Sequence, residues 1–399
     1  MKIYLLSNLD FELTWANGGS TGGLPRQVRA LSEHYRHILL LLGPELLRET
    51  SDPLEFQVLG PHSDQTLPVG SLHSGSLLPW GWTPALHNFA KSQGLTIHHA
   101  DLGLIEKINH KRYGAELDRQ LELSTFHTTL IDSKDLDKLP EIIATFAGPW
   151  LLKAPWGVSG RGQRRGEEGI FTEKDQKWAT QTIAREGCLL LEPLIAIDEE
   201  YSFHFQLKDE ENRSTVQYLG HCRLHSSPEG ALRGLEAGPG LQAPPKQLQV
   251  GAQKAAESIA ELGYFGPLSI DAYQGHFPPK KLDFVPPWEG HSPQFPGAKN
   301  DTNLEQSDFV IRPLSEINAR ITFGRLAIAL ASGLALTTNQ TLRWHHGPLS
   351  GLQTNKAELP LLFVLQEWLQ NRAQNCSYSP GFYRLPSTLG EATIEIRNE

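Results

Sequence analysis

The chain has 399 residues, 39% hydrophobic and 20% charged, an ordinary globular composition with enough apolar material for two or three cores. Its 36 basic and 45 acidic residues leave a net charge of −9, which excludes a protein that coats nucleic acid through a basic surface but leaves room for a local phosphate pocket. No apolar run reaches the roughly 18 residues of a membrane helix. The opening Met1-Lys-Ile-Tyr-Leu-Leu6 turns polar too soon for a secretory signal. Cys188, Cys222 and Cys376 are too scattered for a disulfide framework or a cysteine metal site, and no HExxH occurs, so the expected setting is a reducing cytoplasm and a zinc enzyme is not expected.

In chain order, Lys2–Leu6 reads as a buried strand. The loop Asn17-Gly-Gly-Ser-Thr-Gly-Gly23 follows, then a helix from Leu24 to Tyr35 with Leu24, Val28, Leu31 and Tyr35 at helical spacing. Ile38–Leu42 reads as a second buried strand, so the chain begins in a doubly wound manner. Residues 60–84 read as loop ending in Pro79-Trp-Gly-Trp-Thr-Pro84, and a helix over 85–93 and a strand over Leu95–His98 close this region near residue 100. Helices are expected over 102–121 and over 133–145, the latter behind an Asp132/Ser133 cap. Trp150–Lys153 reads as a strand, 154–169 as a Gly- and Arg-rich loop, 172–186 as a helix and Leu189–Glu192 as a strand. Tyr201–Leu207 and 216–224 alternate as strands, and Leu268–Tyr273 is another. Between them 246–262 reads as a helix with Leu248, Ala252, Ala255, Ile259 and Leu262 on one face. Residues 276–308, with six prolines, read as an inserted loop. A strand over 309–322, an apolar helix over 323–334, a helix over 358–371 and strands near 381–386 and 392–397 complete the chain.

Four segments carry chemistry. In Glu316-Ile-Asn-Ala-Arg-Ile-Thr322, strand alternation puts Glu316, Asn318, Arg320 and Thr322 on one face. A carboxylate and an amide oxygen suit Mg²⁺, and an Arg beyond them suits a phosphate oxygen. In Leu268-Ser-Ile-Asp271 a mid-strand carboxylate needs a partner if buried, and a metal shared with Glu316 would supply one. Lys153 at a strand end, followed by Gly157, Ser159, Gly160, Arg161 and Gly162, suits a phosphate-approaching lid, although no GxxxxGK[ST] loop occurs. Glu192-Pro-Leu194 followed by Asp198-Glu-Glu200 looks like a hinge with acids near a base or ribose. Taken singly, each also reads as solvated surface. His221, Arg223, His225 and Arg233, and the loop Asn17–Gly23, are candidates for the acceptor end, though an exposed polar strand and loop explain the former better.

The order of these segments, with a helix carrying Lys111 ahead of them, resembles the ATP-grasp superfamily over roughly 105–335. More narrowly, Leu13-Thr-Trp-Ala-Asn17, Pro79-Trp-Gly-Trp82, Lys153-Ala-Pro-Trp156 and Glu316–Gly324 are similar to bacterial ATP-grasp proteins of unassigned substrate. The resemblance implies an α/β and α+β chain: an N-terminal doubly wound α/β domain (1–104), a small ATP-grasp lobe with the lid (105–188), a C-terminal lobe with the metal strands and the insertion (189–335), and an extension (336–399). It implies ATP with two Mg²⁺, a small-molecule carboxylate activated as an acyl phosphate, and an amine or similar nucleophile, with no nucleic-acid or membrane partner. Lys111, Lys153 and the loop residues Ser159, Gly160, Arg161 and Gly162 would meet phosphates. Glu192 and Leu194 would hold the base and Glu200 the ribose. Asp271, Glu316 and Asn318 would hold metal, with Asp283 in reserve because of the insertion, and Arg320 the transferred phosphoryl. Rival readings are a nucleotide-sugar glycosyltransferase, which requires a second doubly wound domain, and a catalytically silent nucleotide-binding protein.

Overall fold

The computed structural model describes residues 1–20, 32–33, 35–43, 46, 54–60, 63–157, 160–210, 213–278, 309–346, 359–360, 381–384 and 392–398. At the N-terminus β1 (Lys2–Leu6) lies between β2 (Glu55–Val58) and β3 (Ser76–Pro79), both parallel to it. Its Tyr4, Leu5 and Leu6 are wholly buried, as a central parallel strand requires. β3 falls inside the stretch expected as loop, because four residues among Gly, Pro and Ser are too few to show a period. Ile38–Leu42, expected as a strand, is a turn of 3-10 helix with Ile38, Leu39, Leu41 and Leu42 buried. A run that is apolar all round carries no period to tell strand from helix. The expected strand Leu95–His98 reduces to one bridge, Ser76 to Thr96. A helix over Phe11–Ala16, not foreseen, ends where Gly18 and Gly19 take positive φ. Of the expected helix 24–35, residues 24–31 lie outside those described; Ser32 and Glu33 are helical.

The expected helix 102–121 is two, Leu102–Asn109 and Lys111–Gln120, broken where His110 is extended. A four-stranded antiparallel sheet follows, in the order β4-β7-β5-β6: β4 (Thr129–Asp132), β5 (Trp150–Lys153), β6 (Gln163–Gly166) and β7 (Cys188–Pro193). β6 replaces part of the expected loop 154–169; its Gln-Arg-Arg-Gly is an edge strand without an apolar face. The expected helix 133–145 begins as a 3-10 segment, Ser133–Lys138, and becomes α-helical over Leu139–Thr145. Helix Glu173–Glu186 starts on Thr172, whose hydroxyl accepts from the Asp175 N–H, and helps to enclose a core of Trp150, Leu152, Ile183, Leu189 and Leu191.

The largest sheet runs β12-β11-β8-β9-β10-β13-β16-β15-β14. Its strands are β8 (Ala196–Glu210), β9 (Arg213–Ser226), β10 (Leu232–Ala237), β11 (Gly266–His276), β12 (Phe309–Asn318), β13 (Gln340–His346), β14 (Leu359–Pro360), β15 (Gly381–Arg384) and β16 (Ala392–Asn398). β10 and β13 were not foreseen. β12 stops at Asn318, four residues short of the expected 322. Helix Phe323–Gly333 packs on the sheet through Gly324, which lies against His204 and Cys222 and admits no Cβ there. Helix Lys246–Glu261 buries Leu248, Ala252, Ala255 and Ile259, while Leu262, expected on the same face, is 44% exposed past its end. Of the expected helix 358–371, Leu359 and Pro360 are strand and 361–371 lie outside the described residues. So does most of the insertion, with Asp283. Cys188 and Cys222 are free and buried. Among the described residues no helix is long and apolar enough to cross a membrane.

Candidate active site

A cavity of about 890 Å³ is walled by β5 of the four-stranded sheet, by β8, β11 and β12 of the large sheet, by Leu9 and Trp80 just past β1 and β3, and by Glu12 and Leu13 of helix Phe11–Ala16. Asp271 and Glu316 stand directly opposite each other in the β11–β12 register, and both face it. Ser202 Oγ donates to Asp271 Oδ1 at 2.6 Å and Asn318 Nδ2 to Asp271 Oδ2 at 3.2 Å. Burial first, then the negative charge of Glu316, pushes the Asp271 pKa up to about 7. Glu200, also on the wall, accepts from Ser226 Oγ at 2.6 Å. Burial raises its pKa against that bond, and the charge of Glu316 adds to the rise.

The cations are placed against these acids. Lys111 Nζ donates to Glu316 Oε1 at 3.0 Å and to the Gly157 carbonyl. Lys153 Nζ lies 2.5 Å from Glu192 Oε2. Arg320, past the end of β12, still points into the cavity: its NH2 donates to Asn318 Oδ1 at 2.9 Å and its NH1 to the Ile321 carbonyl at 3.1 Å. The guanidinium lies 5.8 Å from the ring centres of both Phe11 and Trp80, and it pairs with Glu12. Thr322 also lines the wall, and its Oγ1 accepts from the Arg325 N–H to start helix Phe323–Gly333.

Lys111, Lys153, Gly160, Arg161, Leu194, Glu200, Asp271, Glu316, Asn318 and Arg320 therefore share one cavity. Glu192 and Gly162 do not lie on its wall. The Glu192 carboxylate is 3% exposed and fully engaged, with Oε1 accepting from Thr128 Oγ1 at 2.7 Å and from Arg312 at 3.1 Å. Burial pushes its pKa up, but Lys153 and Arg312 overcome that and hold it down at about 2. Both of its oxygens thus have protein partners, where the sequence reading expects this carboxylate to meet a base. Gly162 instead takes φ 73° and packs against Gly157. Ser159 lies outside the described residues. Of the acceptor candidates, His225 is on the wall, 3.5 Å from Glu236; Arg223 pairs with Glu199 at 2.7 Å, and His221 and Arg233 are off the wall.

Sequence reasoning missed Glu12, Asp118, Thr128 and Arg312. Glu12 had a usable signal, since open parallel sheets bind ligands just past their strand ends; that rule had been applied to the glycine loop a few residues on. The other three had none, because nothing in an isolated Arg within a strand marks it as buried.

The donor set fits Mg²⁺. Two carboxylates and an amide oxygen are hard ligands, and Asp271, raised first by burial and then by the facing charge of Glu316, would gain from a cation between them. Among the described residues no three His, Cys, Asp or Glu side chains form a group that could hold a metal ion.

No family model matches the chain, and no curated protein matches it in sequence. Solved structures do. N5-carboxyaminoimidazole synthase from Aspergillus clavatus, in complex with ADP and 5-aminoimidazole ribonucleotide, superposes over 100% of this chain and 94% of its own with a TM-score of 0.51 at 9% identity. N5-carboxyaminoimidazole ribonucleotide synthetase from Thermus thermophilus covers the same shares at 14% identity, with a TM-score of 0.48. The first of these shows a shared fold: the chain has the ATP-grasp fold, with its mixed α/β architecture of several sheets.

Proposed function

We propose that the protein is a Mg²⁺-dependent, ADP-forming ligase that activates a small-molecule carboxylate as an acyl phosphate for attack by an amine or similar nucleophile. The observation that carries this reading is the convergence of three hard oxygen ligands, Asp271, Glu316 and Asn318, with Lys111, Lys153 and Arg320 on one cavity of the ATP-grasp fold. Bound Mg²⁺ would neutralise the charge of the transferred phosphoryl group. The chain's own part is to align. Lys153 and Lys111 meet phosphate oxygens, Leu194 borders the base, and Glu200 lies where ribose hydroxyls would need an acceptor. Arg320, held by Asn318 and Glu12, faces the carboxylate end. Gly160 and Arg161 line the cavity, and Arg165, also on its wall, donates to the Pro228 carbonyl; closed over a substrate, this side would keep water from the acyl phosphate. The γ-phosphoryl passes to the carboxylate oxygen with release of ADP, and the nucleophile then displaces phosphate.

The division at residues 104, 188 and 335, the soluble cytoplasmic setting and a second Mg²⁺ belong to this same proposal. Incubation with Mg²⁺-ATP and panels of small acids and amines tests it: release of ADP and phosphate is expected, and AMP with pyrophosphate would contradict it.

A further inference from the structure

Behind Lys153 lies a network of ionised groups that the proposed reaction does not use. Arg312, Asp118, Glu192 and Thr128 are each at most 2% exposed. They come from β12, from helix Lys111–Gln120, from β7 and from the residue before β4, so the network joins the four-stranded sheet to the large one. The Arg312 guanidinium lies 4.5 Å over the Phe126 ring and donates to the Phe126 carbonyl at 3.2 Å and to Thr128 Oγ1 at 2.8 Å. It stands 3.4 Å from Asp118 Oδ2 and 3.1 Å from Glu192 Oε1. Thr128 Oγ1 donates to Glu192 Oε1 at 2.7 Å, while Ser124 Oγ donates to Asp118 Oδ1 at 2.5 Å. Of the charged groups only Lys153, on the other Glu192 oxygen, also reaches the cavity.

Glu192 thus has two counter-ions, one on the cavity wall and one sealed in the core, which it shares with Asp118, an acid whose pKa burial raises. A carboxylate this deep requires at least one of them. A triphosphate that draws Lys153 away leaves Arg312 as the one that remains. We infer that Arg312 is a positioning residue for nucleotide binding: by neutralising Glu192 from behind, it leaves Lys153 free to move from that carboxylate to a phosphate. This rests on the reading of Lys153 as a phosphate contact. Without Arg312, Lys153 is the sole counter-ion of a buried charge and stays with it.

The test is titration calorimetry of the full chain with Mg²⁺ and a non-hydrolysable ATP analogue, with folding of each variant checked by circular dichroism. Arg312→Met is expected to weaken binding at least about tenfold, and Arg312→Lys to recover most of the loss. Adding Glu192→Gln to Arg312→Met is expected to restore affinity, because no charge then holds Lys153 back; a merely structural Arg312 would not be rescued this way. Should Arg312→Met not fold, Thr128→Val, which removes the hydroxyl between Arg312 and Glu192, is expected to weaken binding about threefold or more. Wild-type affinity in Arg312→Met or Thr128→Val, or a double variant as weak as the single, overturns the inference while nucleotide binding by the wild type stands. A wild type that binds no analogue overturns the functional reading and the inference together.

Discussion

In the four-stranded sheet Glu192 has Lys153, Arg312 and Thr128 on its two oxygens, and its pKa is held at about 2. In the large sheet Asp271 has only a hydroxyl and an amide on its oxygens, faces a second carboxylate across the ladder, and is pushed up to about 7. Both are strand carboxylates beside the same cavity. The first is neutralised by the protein itself, so its charge serves the fold. The second is buried beside another carboxylate with no cation bonded to it among the described residues, and under the proposed function a cation brought in with the substrate would neutralise it. Motif order points to both as ligand contacts; the company each keeps tells them apart.

The sharpest way to break the compensated side is Arg312→Met. Removing one partner of a buried ion pair leaves an unpaired charge, and a loss of about 3–5 kcal/mol in urea unfolding is expected; a loss under about 1 kcal/mol would mean the network contributes little. Next comes Lys153→Ala, which keeps Arg312 on Glu192 and so preserves the fold. It is expected to weaken binding of a Mg²⁺-ATP analogue about tenfold to a hundredfold, and unchanged affinity would remove Lys153 from the phosphate site.

The pH dependence separates the two carboxylates further. The folded value of Glu192, about 2, lies below the ordinary 4.5, so its ionised form stabilises the native state. That contribution is complete above about pH 4.5 and is lost as pH falls from there toward 2. Urea midpoints measured across that window are expected to fall less steeply for Glu192→Gln than for the wild type; parallel slopes would contradict the assignment. The smallest effect is expected for Glu316→Gln without metal. The lost Lys111 ion pair, at a partly exposed carboxylate, and the relieved repulsion on Asp271 offset each other to within about 1 kcal/mol. The same variant should lose turnover with Mg²⁺-ATP and a cognate substrate.

Much of this was legible in the sequence. β11, β12 and the helix over Phe323–Gly333 declared themselves through alternation followed by a change of period, and Glu316, Asn318 and Asp271 followed from it. Arg320 reached the cavity even though β12 stops before it, because Ile317, Ala319 and Ile321 continue to alternate inward and stay buried. What stayed hidden depended on distant partners. Ile38–Leu42 has no polar residue to mark a face, β6 has no apolar one, and β10 and β13 are recognisable as strands only from the neighbours they pair with. The buried pair of Glu192 is hidden for the same reason: its partner Arg312 is 120 residues away, and no local pattern announces it.

The central claim is that Asp271, Glu316 and Asn318 hold Mg²⁺ together with a nucleoside triphosphate. Calorimetric titration of the wild type and of Glu316→Gln with a non-hydrolysable ATP analogue, in Mg²⁺ and in EDTA, tests it directly. Saturable binding in Mg²⁺ that weakens strongly in EDTA and in Glu316→Gln is the expected result; no binding, or equal binding with and without Mg²⁺, would contradict it.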